Sequence, residues 1–324
     1  MRFIALSLAF LLSIAASGPA QDGDKINLEW KFKKGDSNRY ELNQSTEMDI
    51  AGMEINQEML FGLVWEIVDV NADGVGTVKT TYDRIKVKMA GPMTADYDSD
   101  KDKKPADDQM LSRVMSSFLG KSITLQVGRK GEVLKVEGMT KLVESAVADL
   151  PDEMQPTATM MKMYINDENT KNQMQALFGM LPKDPIAKGD TWETKSNIAL
   201  GGLGKSEMKS KCTLKDIREG GKEAVIGIDS KLNFKPEDGG GGMGLELTDS
   251  KSKFEMVWSV EKGMLLGMKG TMTLDGSAGG GEMSMVQKTE LKLAPRLKDV
   301  VTGPTKETPP KEAPPKEAPP KEPK

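Results

Sequence analysis

The sequence predicts a β-rich α+β fold: long antiparallel strands meander through one large curved sheet or two similar β lobes, with about three helices among them. Three observations carry that reading. The dominant hydrophobic period is two, glycine-bearing turns punctuate the alternating runs, and apolar stripes of helical spacing are few in the 324 residues.

In chain order, Arg2, an apolar run over residues 3–16 and the small residues Ser17, Gly18 and Ala20 read as a secretory signal. Cleavage after Ala20 would leave Gln21 as the mature start. The run is shorter than the roughly 20 residues a bilayer span needs, so no transmembrane span is expected after cleavage. No cysteine lies near the signal's end. The expectation is an exported protein, periplasmic or extracellular, and not a lipoprotein.

Tyr40, Leu42, Gln44, Thr46, Met48 and Ile50 then alternate with Glu41, Asn43, Ser45, Glu47 and Asp49, giving one wet and one drier strand face. Ile85, Val87 and Met89 alternate with Lys86 and Lys88. Met264, Leu266, Met268, Met272 and Leu274 share one parity, and Met283, Met285, Leu291 and Leu293 share another. Asn71-Ala72-Asp73-Gly74, Gly128-Arg129-Lys130-Gly131 and Glu261-Lys262-Gly263 read as hairpin turns, because glycine supplies positive φ there. Helices are expected from Asp107 as N-cap to the stop at Gly120, over residues 140–150 before Pro151, and over residues 167–181 before Pro182.

The order also rhymes. Lys34-Gly35-Asp36 and Lys188-Gly189-Asp190 each precede a strand, and in each half a hairpin is followed by a strand pair with Lys-Gly at its turn. The expected domain plan is a signal over 1–20, a β-rich domain over 21–301 and a tail over 302–324. Lobes at 25–150 and 183–295 would flank a helical connector. In the tail, Lys-Glu pairs recur every five residues between Pro-Pro pairs, a composition for an extended, solvated segment of up to about 70 Å at about 3.1 Å per residue. It is a spacer, a wall-docking segment or a solubilising tail.

Composition excludes several chemistries. Histidine is absent and Cys212 is the only cysteine, which rules out Ser-His-Asp and Cys-His catalysis, an internal disulfide and a cysteine-rich metal site. Lys+Arg 45 against Asp+Glu 49 gives a net charge of -4, so nucleic acid is not an expected partner. Asp96, Asp98, Asp100, Asp102 and Asp107 resemble an oxygen-rich calcium loop, but Lys101 stands where the turn wants glycine and neighbouring lysines offset the charge. The 23 methionines fit a soft core or a plastic apolar pocket better than a copper site. The glycine runs at 239–242 and 279–281 lack a phosphate-loop pattern and read as hairpin tips. Cys212 reads as a quiet thiol, and Trp30, Trp65, Trp192 and Trp258 as core. No catalytic, cofactor-binding or metal residue is assigned, and no cofactor is expected.

The run 69–74 (Asp-Val-Asn-Ala-Asp-Gly), Tyr82-Asp83-Arg84-Ile85 and Tyr97-Asp98-Ser99, with Leu181-Pro182-Lys183-Asp184-Pro185 and Lys188-Gly189-Asp190-Thr191-Trp192, closely resembles a bacterial secreted family known as domain of unknown function 6263. The resemblance spans residues 28–293 and implies an exported β protein without an assigned activity. The leading functional expectation is a non-enzymatic envelope module whose sheet and helices enclose an apolar groove, a half-barrel carrier for an apolar or lipid-like ligand. The alternative is a cell-surface structural or interaction protein that binds an envelope protein and is spaced by its tail.

Overall fold

The computed structural model describes residues 25–92, 94–102, 110–148, 150, 152–199, 205–235 and 246–295. The signal, the tail, Asp107 and the 239–242 glycine run fall outside them. The first half contributes β1 (Ser37–Ile50), β2 (Met53–Val70), β3 (Gly76–Ala90), the short β4 (Ala95–Asp98), β5 (Ser122–Val127) and β6 (Val133–Glu137). The second half contributes β7 (Thr191–Ala199), β8 (Lys205–Arg218), β9 (Glu223–Lys235), β10 (Glu246–Ser259), β11 (Met264–Ala278) and β12 (Gly281–Ala294). All twelve join one antiparallel sheet in the order β6-β5-β3-β2-β1-β12-β11-β10-β9-β8-β7, with β4 beside β3. The halves therefore merge along the β1–β12 ladder, whose register runs from Arg39 opposite Ala294 to Ile50 opposite Met283.

The expected turns form. Asn71 Oδ1 accepts from the backbone N–H groups of Asp73 (3.0 Å) and Val75 (2.9 Å), and Gly74 takes φ 79°. The Lys-Gly-Asp turn recurs with the same bonding. Gly35 N donates to Ile67 O (2.9 Å) and Ile67 N to Asp36 O (2.9 Å), while Gly189 N donates to Leu214 O (2.8 Å) and Leu214 N to Asp190 O (3.0 Å). Each is closed by a surface ion pair, Lys34 with Asp69 and Lys188 with Asp216.

Helices number four among the described residues: α1 (Met110–Ser116), α2 (Met139–Ala146), α3 (Gln155–Tyr164) and α4 (Asp167–Phe178). The additional one, α3, contains the Met160-Met161-Lys162-Met163 run. Pro156 sits in its first turn, where a missing N–H costs nothing, so this proline opens the helix. Asp167 caps α2 from outside, its Oδ1 accepting from the backbone of Met139 (2.7 Å) and Thr140 (3.2 Å). Helix α4 packs against both edge strands, β6 and β7, which do not pair with each other. Its Gln175 accepts from Val133 N (2.8 Å) and donates to Gly131 O (3.3 Å), so one side-chain amide occupies the start of the β6 edge. A helix bridges the gap, and the sheet remains an open roll.

The extended segment before β1 threads the inner side. Trp30 N donates to Arg129 O (2.8 Å) and Lys31 N to Gly263 O (3.0 Å), linking two hairpin tips, and Ile26 bridges Ile186. Trp30 lies edge-on to Trp258 at 4.6 Å and tilted on Phe178 at 4.8 Å, and Tyr40 and Phe178 both contact Trp65. These aromatic rings pack together at the β1-entry end of the roll and form a large part of its core.

Bulges correct one expected parity. Leu266 is an unpaired extra residue opposite the Val257–Trp258 step, so Leu265, 1% exposed, points inward in its place. Asp83 plays the same part in β3. Val78, Thr80 and Tyr82 before it, and Ile85, Val87 and Met89 after it, all stay on the inner face.

Candidate functional site

Cross-strand register places side chains in rows on the inner face. One row, Leu214, Ile226, Met256, Met268, Leu291, Leu42, Phe61 and Ile85, is apolar across eight strands and packs into the core. Two residues further along each strand's inner face comes Cys212, Ile228, Phe254, Gly270, Thr289, Gln44, Met59 and Val87. The next is a polar belt: Thr194, Ser210, Ser230, Ser252, Met272, Gln287, Thr46 and Gln57. Beyond it lie Met208, Leu232, Ser250, Leu274, Met285, Met48 and Ile55, and then Met283 and Ile50 near the tips of the β1–β2 and β11–β12 hairpins.

Coverage changes along these rows. The first is under helices and the N-terminal segment, whereas Met48, Ile50, Ile55, Met272, Met283 and Met285 are half-buried and belong to no packed core cluster. The result is an open trough with methionine and isoleucine walls and a hydroxyl and amide belt at its inner end.

Charge is segregated with unusual completeness. Among the described residues of β1, β2, β3 and β8 to β12, no Asp, Glu, Lys or Arg occupies an inner-face position; all lie on the outer face. The titratable inner groups are neutral ones, and burial reinforces that. It pushes the Cys212 thiol up to about 12, the Tyr82 phenol up to about 12, and the Tyr40 phenol higher still.

The outer face holds a buried ion pair. Arg39 Nε donates to Asp83 Oδ2 at 2.6 Å, with side chains 1% and 0% exposed, and Arg39 Nη1 reaches Glu41 Oε1 at 2.9 Å. Burial works against the guanidinium's charge, but its bonds to Asp83 and Glu41 hold it above its ordinary value. The pair exists because Gly62 lies between the two strands: a Cβ there would collide with the Asp83 carboxylate and sit 2.7 Å from Arg39 Nη2.

The aspartate-rich segment is a self-satisfied turn. Asp98 Oδ1 accepts from Asp100 N (3.2 Å), Asp102 Oδ2 accepts from Asp98 N (2.9 Å), and Arg84 Nε lies 2.8 Å from Asp100 Oδ2. No group of three metal-competent side chains occurs among the described residues. Cys212 and Trp258 are fully buried, Trp30 and Trp65 are buried, and Trp192 is half-buried and donates to Met180 O (2.9 Å). Gly279 and Gly280 form the β11–β12 tip with φ 62° and 82°.

The clefts differ from the enclosed apolar groove that the sequence suggested. One of about 550 Å³ opens beside Trp30, Phe32 and Trp65 with Lys31, Lys33 and Lys262 on its rim. Another of about 940 Å³ runs between α4 and β7, with Lys130, Asp184, Asp190 and Glu193 in its wall. Both open to solvent and carry charged residues in their walls beside the aromatic ones.

Among known families, the one described as "Family of unknown function (DUF6263)" matches residues 73–281. No curated protein matches the chain. Among solved structures, it is similar to the one titled "Structure of DynF from the Dynemicin Biosynthesis Pathway of Micromonospora chersina". Identity is 9%, coverage is 87% of this chain and 94% of that chain, and the TM-score is 0.21.

Proposed function

The chain belongs to this family of unknown function, and since membership assigns no chemistry, we propose from the geometry that it is an exported, non-enzymatic binding or carrier module for an apolar or lipid-like ligand. The observation that supports this is the uncovered part of the inner face. Folding normally removes such a surface from water, at about 25 cal/mol per Å² of apolar area. Here Met48, Ile50, Ile55, Met272, Met283 and Met285 remain half-open on the inner face, and flexible thioethers adapt to ligands of irregular shape. The ligand would lie in this trough, not in a closed cavity.

The test uses N-phenyl-1-naphthylamine, a neutral dye that brightens in apolar surroundings. The mature protein is expected to raise its emission saturably. Met285→Glu, which places a charge in the trough, should abolish the rise, while Ser284→Glu on the opposite face should leave it intact. Equal behaviour of the two variants, with both folded by circular dichroism, refutes the site.

A further inference from the structure

Resting on that reading, we infer that the trough selects uncharged amphiphiles, holding a neutral hydrogen-bonding head group against the polar belt and the chain against the methionine wall. The argument starts from charge. A charged head drawn into the roll would lose its hydration, and no inner-face Asp, Glu, Lys or Arg on β1, β2, β3 or β8 to β12 is present among the described residues to replace it. A neutral head faces no such penalty if hydroxyls and amides receive it.

The belt has that capacity. Gln287 Nε2 donates to Thr46 Oγ1 at 3.3 Å, which leaves the Thr46 hydroxyl proton to donate onward. Ser210 and Ser230 hydroxyls lie 2.7 Å apart, and since only one of the two protons serves that bond, the other is available. From Thr46 to Ile50 the strand runs about 13 Å at about 3.3 Å per residue, and the inner-face residues beyond the belt, Met48 and Ile50, are apolar. A polar end and an apolar length therefore follow one another on one wall, which is the pattern of a single-chain amphiphile.

The experiment compares three ligands with one 12-carbon chain: monolauroylglycerol, laurate and dodecylammonium. Each displaces the naphthylamine dye from the mature protein at neutral pH, below its aggregation threshold. Monolauroylglycerol is expected to bind at least about tenfold more tightly than either ion, a difference of about 1.4 kcal/mol. The paired variant Thr46→Val with Gln287→Leu should narrow the preference for monolauroylglycerol over the two ions by about tenfold. Equal or tighter binding of either ion, or an unaltered preference in the variant, overturns the selectivity while leaving the trough itself in place. Failure of the dye and of all three amphiphiles to bind overturns the trough and the selectivity with it.

Discussion

Replacing Gly62 by alanine tests the charge architecture of the sheet, because two lines of reasoning give opposite signs. In a strand, glycine to alanine ordinarily stabilises by about 0.4–1 kcal/mol, since the unfolded chain loses freedom and the native φ is one alanine can adopt. Gly62 has no positive φ to protect. The new methyl group, however, would occupy the space between Asp83 Oδ1 and Arg39 Nη2 and press on Arg84 Cβ at 2.8 Å. Neither neighbour can yield cheaply, as Arg39 and Asp83 are 1% and 0% exposed and bound to each other at 2.6 Å. Separating a buried pair costs about 3–5 kcal/mol, because each charge stays desolvated without its partner. Net destabilisation of about 3 kcal/mol is expected, or a fall in melting midpoint of about 6–12 °C for a domain of this size. Urea unfolding followed by circular dichroism measures it, with Asp83→Ala and the double variant completing a cycle. The double variant should lose little more than either single one, since all three destroy the same pair. A midpoint for Gly62→Ala at or above wild type, or strictly additive losses, would refute this account.

Other expectations follow from the same structure. With no histidine and a single cysteine in the chain, melting midpoints should stay nearly flat from about pH 6 to 7.5 at fixed ionic strength; a shift of many degrees would expose a strongly displaced carboxylate or lysine. Alkali should act differently. Cys212 and Tyr82 are raised to about 12 and Tyr40 is raised further, so the unfolded chain ionises first, and above about pH 9–10 each group removes about 1.4 kcal/mol of stability per pH unit. A base-induced transition is therefore expected, and Tyr82→Phe should flatten it. The Cys212 thiol should react with Ellman's reagent only on unfolding, so a native rate close to that of a free thiol at pH 8 would show that the β7–β8–β9 region opens. Asp216 and Asp249, held below the usual carboxylate range by hydrogen bonds to Lys188 and Lys251, should support the fold at neutral pH and lose that contribution only as acid protonates them.

The strands were legible because burial on one face writes itself as strict alternation, and residues 40–50 display it without a break. Asn71-Ala72-Asp73-Gly74 marked its hairpin for an equally local reason. Bulges leave no such trace. Nothing in the composition around Asp83 or Leu266 distinguishes an extra residue from a paired one, so Met264 and Leu266 read as one face when Leu265 is the inward residue. Helix α3 was hidden by a proline whose effect depends on its place in the turn. The inner face of the candidate site was half visible in β1 and β12, but its uncovered part depends on where four helices settle. The Arg39–Asp83 pair spans 44 residues and arises from a register that only the assembled sheet defines.

The ladder between β1 and β12 has a further consequence for how the molecule is made. The first and last strands lie side by side in mid-sheet, so Arg39 waits for a partner, Ala294, that leaves the ribosome long afterwards. Until then each half presents a long unpaired strand as an edge, β1 on one side and β11 on the other, and such edges invite pairing with other chains. The last strand acts as a closing zip. Truncation before Gly281 would leave two sticky half-rolls, since β1 and β11 would both keep an open edge.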